Sequence, residues 1–336
     1  MTIARILRRL VPAILGVLAL SGQPAVSHAE GRPVVAASEI AQATVDLRPV
    51  EVAPGIWFVQ GEAAMGSAAN QNFISNAAFV IADGGVLVVD ALGSPPLAER
   101  LLAEIRKRTE LPIRYVVATH YHADHIYGLQ VFKAAGAQIV AHEGALDYIN
   151  SETARLRLEA SRTELFPWVD EHTAVLPADV WIRGQGDVEL RIGTTRFVLH
   201  HVGPSHTDED LAVHMPDRGV LFVGDLVFRG RIPFVGKADS RAWIAAIDRI
   251  SALQPRLMIP GHGPVSVTPA ADLRFTRDYL AYLRQTMGQA AHDLDPFDEA
   301  YARVDWSRFE GMPLFTAANR MNAYNTYLLM EEQDGR

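Results

Sequence analysis

The chain contains no cysteine, and this absence excludes several kinds of chemistry at once. Disulfide bonds, cysteine nucleophiles and thiolate metal ligands cannot occur, so a metal site would have to use nitrogen and oxygen donors. Basic residues are not in excess, because 31 Lys and Arg stand against 39 Asp and Glu. The composition therefore gives no indication of a nucleic-acid partner.

A hydrophobic run long enough to span a bilayer is also missing from the N-terminus. The apolar stretch Leu10 to Leu20 covers 11 residues, whereas a membrane-spanning helix needs about 20. This stretch follows Arg5, Arg8 and Arg9 and precedes the small residues of Ser27-His28-Ala29, an order typical of an export signal. We expect cleavage after Ala29, a periplasmic or secreted protein, and no integral membrane span after cleavage. The Arg8-Arg9 pair leaves twin-arginine export open, but Leu10 and Val11 favour a Sec-type signal.

The most informative motif is His120-Tyr121-His122-Ala123-Asp124-His125, directly after the strand-like run 113–118. Side chains two apart in extended chain point the same way, so His120 and His122 can bind one metal ion. Asp124 and His125 follow where the chain should turn, and they can face a second ion. Four such groups together are costly in a hydrophobic core unless they have partners, which favours a metal site over a structural role.

Three later positions can complete such a site. His206, Asp225 and His262 each lie at the end of a strand-like segment or directly after it. Each has an ordinary interpretation when it is taken alone, as a capped histidine or a turn-forming aspartate. Together with the six-residue motif they predict one site at a sheet edge, because reactive groups commonly lie on loops held by a rigid sheet.

This ordered series resembles the metallo-β-lactamase-fold hydrolases over residues 50–265, with Asp90 in Val88-Val89-Asp90 as a further match. The resemblance implies an αββα sandwich with a dinuclear metal site. By position it implies one metal held by His120, His122 and His206, a second held by Asp124, His125 and His262, and Asp225 bridging both. It implies a structural role for Asp90, which supports the metal loop.

A more specific resemblance is carried by segments outside the ligand series. Segments 224–228, 231–233 and 239–243, with Asn319, Asn322 and Tyr324, are similar to the exported quinoprotein relay system zinc metallohydrolases, a branch near the glyoxalase II-like enzymes. The chain departs from the commoner double glycine at His125-Ile126-Tyr127-Gly128. The shape of the substrate site can therefore not be copied from better-known relatives.

Hairpins that alternate with helical segments predict a layered α/β fold with sheets inside and helices outside, followed by a C-terminal helical extension. The resemblance implies that these layers form the αββα sandwich. We predict single helices over 126–135 and over 143–165. The predicted division of the chain is a signal peptide at 1–29, a lead-in segment at 30–50, a catalytic domain at 51–265 and the helical extension at 266–336.

The donor set and the resemblance together predict an exported hydrolase with two Zn²⁺ ions, although iron or manganese also fits the donors. A metal-bridging hydroxide would hydrolyse an ester, thioester, lactone or similar bond in a small-molecule substrate. Asp124 is the predicted catalytic residue, because it can orient the hydroxide or accept its proton. The alternatives are a β-lactam hydrolase, a mononuclear-iron persulfide dioxygenase and a non-catalytic metal-binding module. The resemblance argues against the first, because the lactamase branches usually do not have a bridging aspartate at the position of Asp225.

Two further features concern the substrate. The loop 61–71 is rich in small residues and can form a flap over the site. Arg229 and Arg231 follow Asp225, and either could bind an anionic substrate or be an ordinary surface or ion-paired arginine. We interpret His142, His200, His201 and His214 as structural or supporting residues.

Overall fold

Two β-sheets, each with helices on its outer face, form the part of the chain that the computed structural model describes, residues 41–333. The first sheet has seven strands in chain order: β1 (Val50–Ala53), β2 (Ile56–Val59), β3 (Ala77–Ala82), β4 (Gly85–Val89), β5 (Ile113–Val117), β6 (Gln138–His142) and β7 (Val180–Ile182). Its first four strands are antiparallel, and β4 to β7 are parallel.

The second sheet has five strands in the order β12-β11-β10-β9-β8. They are β8 (Gly186–Ile192), β9 (Thr195–His201), β10 (Leu211–Met215), β11 (Val220–Phe228) and β12 (Leu257–His262). All nine residues of β11 are buried, which is expected of a strand that is covered on both faces.

The described helices are α1 (Pro95–Arg106), α2 (Ala123–Ile126), α3 (Leu129–Ala134), α4 (Ala145–Ile149), α5 (Glu152–Glu164), α6 (Ser240–Ser251), α7 (Pro269–His292), α8 (Phe297–Arg303) and α9 (Phe315–Gln333). Within residues 41–333, no helix combines the length and apolarity that crossing a bilayer requires. The predicted export signal and its cleavage site lie outside the described residues.

Three apolar cores separate the layers. Leu101 of α1 and Phe132 of α3 pack on the outer face of the first sheet. Side chains such as Leu87 and Phe222 fill the space between the sheets. Helices α6 and α7 pack on the second sheet, where Trp243 is fully buried. This arrangement confirms the predicted αββα sandwich, and α7 to α9 confirm the C-terminal helices.

Two predicted helices are each divided in the structure. The segment predicted as one helix over 143–165 forms α4 and α5, because the Ser151 hydroxyl accepts a hydrogen bond from the Ala154 N–H at 3.1 Å and caps a new helix. The segment 126–135 is interrupted at Gly128, where a Cβ would collide with the Ala91 carbonyl oxygen. Close backbone approach therefore requires glycine there.

The lead-in segment is packed in its described part. Residues 41–49 form no helix or strand, but Ala43 and Leu47 are buried in the first core. This part of the predicted lead-in segment therefore contributes to the folded core.

Candidate metal centre

Three imidazole rings meet at one edge of the sandwich. His120 and His122 follow β5, and His206 lies in the loop after β9. The Nδ1 atom of His122 lies 3.1 Å from Nε2 of His120 and 2.9 Å from Nε2 of His206. A neutral imidazole carries one N–H and one lone pair, so three converging nitrogens cannot all be satisfied by bonding to one another.

A second group lies beside the first and contains Asp124, His125 and His262. The Oδ2 atom of Asp124 lies 3.6 Å from Nε2 of His125 and 3.3 Å from Nε2 of His262. Helix α2 carries the first two residues, and the end of β12 carries the third. The potential ligand atoms of each group lie within 4.8 Å of one another.

Asp225 on β11 contacts both groups. Its Oδ1 lies 3.3 Å from Nε2 of His125, and its Oδ2 lies 3.2 Å from Nε2 of His262 and 3.4 Å from Nε2 of His206. A Cβ at Gly261 would collide with this carboxylate, so the neighbouring strand needs glycine at that position. Among the described residues, Asp225 is the only carboxylate that is this close to histidines of both groups.

The donors fit divalent metal ions. Nε2 of His125 and Oδ1 of Asp225 are both buried, and neither has a hydrogen-bond partner. Buried polar atoms are rarely left in this way. Imidazole nitrogens and carboxylate oxygens without sulfur suit zinc, and also iron or manganese. The centre thus offers two adjacent sets of three donors and one carboxylate between them.

The pKa values of the histidines shift in opposite directions in the two groups. Burial lowers the pKa of His120 and His122 and lowers that of His206 to about 3, so these rings are neutral and their lone pairs are available. Burial also opposes a charge on His125 and His262, but the carboxylates of Asp225 and Asp124 outweigh it and raise the pKa of both rings. Divalent ions bound here would displace these protons and balance the carboxylates instead.

Asp90 supports the second group through a contact with the His125 ring. Its carboxylate lies 2.9 Å from Nδ1 of His125 and accepts hydrogen bonds from the N–H (2.8 Å) and the hydroxyl (3.0 Å) of Thr119. The contact with Nδ1 fixes the ring so that Nε2 faces the centre. This geometry agrees with the structural role that the resemblance implied for Asp90.

Replacing Asp90 with asparagine should weaken metal binding to the second group about 10- to 100-fold, as is usual when a partner of a metal-binding histidine is lost. The variant keeps the size of the side chain but removes the charge that orients His125. Competition with a chromophoric chelator would measure both affinities. An unchanged metal affinity of the second group would contradict the supporting role of Asp90.

Two further acidic residues support the first group, and sequence reasoning did not find them. Asp210 accepts hydrogen bonds from the hydroxyl of Ser205 (2.8 Å) and from the N–H (2.8 Å) and hydroxyl (3.1 Å) of Thr207, which flank His206. Glu209 accepts one from the N–H of Tyr121 at 3.2 Å. Burial raises the pKa of Asp210 to about 8. The acidic run at positions 208–210, shortly after His206, was the sequence feature that could have indicated these two residues.

A cavity of about 500 Å³ opens in front of the centre. Met65 and Gly66 of the loop 61–71 line it, as do Phe228, Arg231 and Phe234. The loop is therefore placed where the predicted flap would lie. The guanidinium carbon of Arg231 lies 5.6 Å from the ring centroid of Phe228, so the cavity places a positive charge beside an apolar side chain.

The structure distinguishes the two candidate arginines. Arg229 forms an ion pair with Asp272 at 2.9 Å and donates to the Val265 carbonyl, so its charge is balanced. Arg231 is only 5% exposed and has no ion pair among the described residues. Its Nη1 lies 3.3 Å from Nδ1 of His262, but that nitrogen already faces the Ile74 carbonyl at 2.7 Å. The guanidinium of Arg231 is left without a strong acceptor.

The four histidines that were interpreted as structural or supporting lie in two pairs outside the centre. The rings of His142 and His201 stack at 3.6 Å and both face the Gly184 carbonyl. His200 contacts Asp187 at 2.6 Å and His214 at 3.4 Å. Each ring uses at least one nitrogen in these local contacts, which agrees with the structural interpretation.

Comparison with known proteins places this centre in a family. The family model described as the metallo-beta-lactamase superfamily matches residues 71–262, more than half of the chain. A linear primary-alkylsulfatase of Pseudomonas sp. is 29% identical over 257 residues, which cover 66% of this chain and 48% of that protein. A metallo-beta-lactamase type 2 of Bacillus sp. is 27% identical over 196 residues, 57% of this chain and 67% of that protein.

Among solved structures, the stereoselective inverting sec-alkylsulfatase Pisa1 from Pseudomonas sp. has the same fold. It matches with a TM-score of 0.66 and 18% identity, over 84% of this chain and 50% of that one. The chain spans about half the length of the two alkylsulfatases it matches. The matched segment contains the six-residue motif, Asp225 and His262, and on this ground the chain belongs to the metallo-beta-lactamase superfamily.

Proposed function

We propose that this chain is a metal-dependent hydrolase that uses two divalent ions, with zinc as the expected metal. The observation that carries the proposal is Asp225, whose carboxylate lies within 3.4 Å of His206 in the first group and of His125 and His262 in the second. The proposed ligands of the first ion are His120, His122 and His206; those of the second are Asp124, His125 and His262; and Asp225 is shared. Structural zinc sites are usually closed sets of four ligands, and this centre faces an open cavity instead.

Bound divalent ions would supply an activated water and polarise the scissile group of the substrate. The side chains decide where that chemistry takes place. The side chain of Asp124 is 17% exposed, whereas that of Asp225 is 4% exposed. Both carboxylates line the cavity, and Asp124 is the more accessible one, so it can orient a water molecule and accept its proton.

The residues that line the cavity favour an anionic substrate. Arg231 brings a buried positive charge beside His262, and the carboxylates of Asp225 and Asp124 act on this charge without forming an ion pair with it. A carboxylate or sulfate group of the substrate would supply a direct charged acceptor. Phe228 and Phe234 line the same cavity and favour an apolar substituent. We propose that the enzyme hydrolyses an ester, thioester, lactone or similar bond in a small anionic molecule. Sulfate esters are included because of the relationship to the linear primary-alkylsulfatase.

A β-lactam hydrolase is the second candidate, favoured by the metallo-beta-lactamase of Bacillus sp. among the relatives. The two candidates are separated by one screen of zinc-loaded protein against alkyl sulfates, thioesters, lactones, phosphoesters and β-lactams. Elemental analysis of the same sample should show two metal ions per chain. One ion or none after expression with ample metal would contradict the dinuclear centre, and hydrolysis of β-lactams alone would favour the second candidate.

Replacing Arg231 with methionine should raise KM for an anionic substrate about 10- to 100-fold, the range expected for a lost hydrogen bond to a charged group. Methionine keeps an apolar stem against Phe228 but has no charge. The matched control is Arg229→Met, which removes the neighbouring arginine that pairs with Asp272. Steady-state kinetics on an anionic substrate and a neutral analogue would test this. Equal KM changes for both variants, or for both substrates, would exclude anion recognition by Arg231.

A further inference from the structure

The segment 231–236 forms one wall of the cavity, and its side chains alternate in environment. Arg231 and Phe234 line the cavity, and the ring centroid of Phe234 is 6.4 Å from that of His206. Ile232 and Val235 are almost fully buried, with 0% and 1% exposed, and belong to the core beside the second sheet. The position of this wall therefore decides where the two substrate-facing side chains lie.

Asn322 of α9 bonds to the backbone of this wall on both sides of Phe234. Its Oδ1 accepts a hydrogen bond from the Val235 N–H at 2.9 Å, and its Nδ2 donates to the Pro233 carbonyl at 2.7 Å. Nδ2 also donates to the hydroxyl of Tyr279 at 2.9 Å, which connects α9 to α7. The Asn322 side chain is fully buried and its donors and acceptor are used, so it is a rigid contact.

The contacts on either side also come from the C-terminal part of the chain. The Ile232 N–H donates to the Pro313 carbonyl at 3.0 Å. The Gly236 carbonyl accepts from Nδ2 of Asn325, one turn further along α9, at 2.7 Å. The C-terminal part of the chain thus forms hydrogen bonds with backbone groups at positions 232, 233, 235 and 236.

We propose that Asn322 and Asn325 are positioning residues that place Arg231 and Phe234 for substrate binding. The inference rests on the proposed function of the cavity. It gives the C-terminal helices a role beyond covering the second sheet, because Asn322 and Asn325 of α9 fix the substrate-facing wall. Without the hydrogen bonds from these asparagines, the wall could move. Substrate binding would then have to order the wall, and the entropic cost of doing so would weaken the affinity for substrate.

The experiment compares Asn322→Ala with the matched control Asn319→Ala. Asn319 is equally buried on the same helix and bonds to Tyr279 and Tyr301, but not to the segment 231–236. Hydrogen exchange read by mass spectrometry on peptides covering 231–238 reports the wall directly. Metal content and steady-state kinetics on an anionic substrate complete the set.

For Asn322→Ala we expect exchange of the Val235 amide to accelerate about tenfold or more relative to the control, the order expected for one lost hydrogen bond. KM should rise about tenfold while kcat and metal content stay near those of the parent, because the reacting groups are not touched. Asn325→Ala should give the same pattern more weakly, and it replaces Asn322→Ala if that variant does not fold.

Equal effects of the Asn319 and Asn322 variants on exchange and KM would show a general packing role and overturn the proposal. Unchanged exchange in 231–238 would overturn it as well. A loss of kcat together with bound metal would place the effect at the metal centre instead. If the parent protein hydrolyses nothing in the screen, the proposed function fails, whereas the exchange data still decide whether α9 holds the wall.

Discussion

Replacing Asp225 with alanine should weaken the binding of both metal ions and reduce hydrolysis by at least about 10³-fold, since metal-ion catalysis supplies several kcal/mol and each ~1.4 kcal/mol is a factor of ten. The reason is geometric. Asp225 contacts histidines of both groups at 3.2 to 3.4 Å. Without it, each remaining set has three donors and no shared negative charge between two cations that repel each other.

The measurement is metal content after dialysis against a weak chelator, together with kcat/KM on a substrate from the screen. Asp187→Ala serves as the matched control, because this aspartate contacts His200 on the outer part of the second sheet and lies away from the centre. Replacement of His206 should affect mainly the first ion. An Asp225→Ala protein that retains two ions and full activity would refute the bridging assignment.

Replacing Asp124 with asparagine should lower kcat by about 10²- to 10⁴-fold, the usual contribution of general acid–base catalysis. Asparagine keeps the shape and an oxygen donor but cannot accept a proton. His125 and His262 hold the pKa of Asp124 well below its ordinary value despite its burial, so the parent side chain is ionised at neutral pH. The first group contains no contact with Asp124 and should keep its ion.

A melting curve and metal analysis beside the kinetics separate catalysis from folding. Asp147→Asn on α4 is a suitable control, because it removes an exposed carboxylate outside the centre. An Asp124→Asn protein that turns over as fast as the parent would show that Asp124 is not catalytic. A kcat loss that matches a loss of the second ion would show that its role is that of a ligand alone.

The amino-acid sequence was sufficient for the local part of the centre. The motif 120–125 follows a strand and precedes a turn, so its alternation alone predicted that His120 and His122 act together, and their nitrogens lie 3.1 Å apart. Periodic hydrophobic segments likewise predicted the strands and the order of the layers. These features depend on neighbours in the chain, which is why they can be read without a structure.

The resemblance to a family supplied the grouping of the distant residues. Spacing in the sequence does not show that His206, Asp225 and His262 meet the motif, because their proximity depends on the pairing of β9, β10, β11 and β12 across the second sheet. Local patterns also predicted single helices where the cap at Ser151 and the close approach at Gly128 divide them. In both cases a specific contact outweighed helical periodicity.

By itself, then, the sequence determined the donor types, the first pair of ligands and the layered fold, because each is encoded in short-range patterns. Only the tertiary structure decided which arginine faces the cavity. Arg229 and Arg231 are two residues apart and equivalent as sequence, but Asp272 from α7 pairs with Arg229, whereas Arg231 forms no ion pair among the described residues. It also decided that Asn322 holds the wall of the cavity, since hydrogen bonds between segments far apart in the chain arise only when packing brings them together.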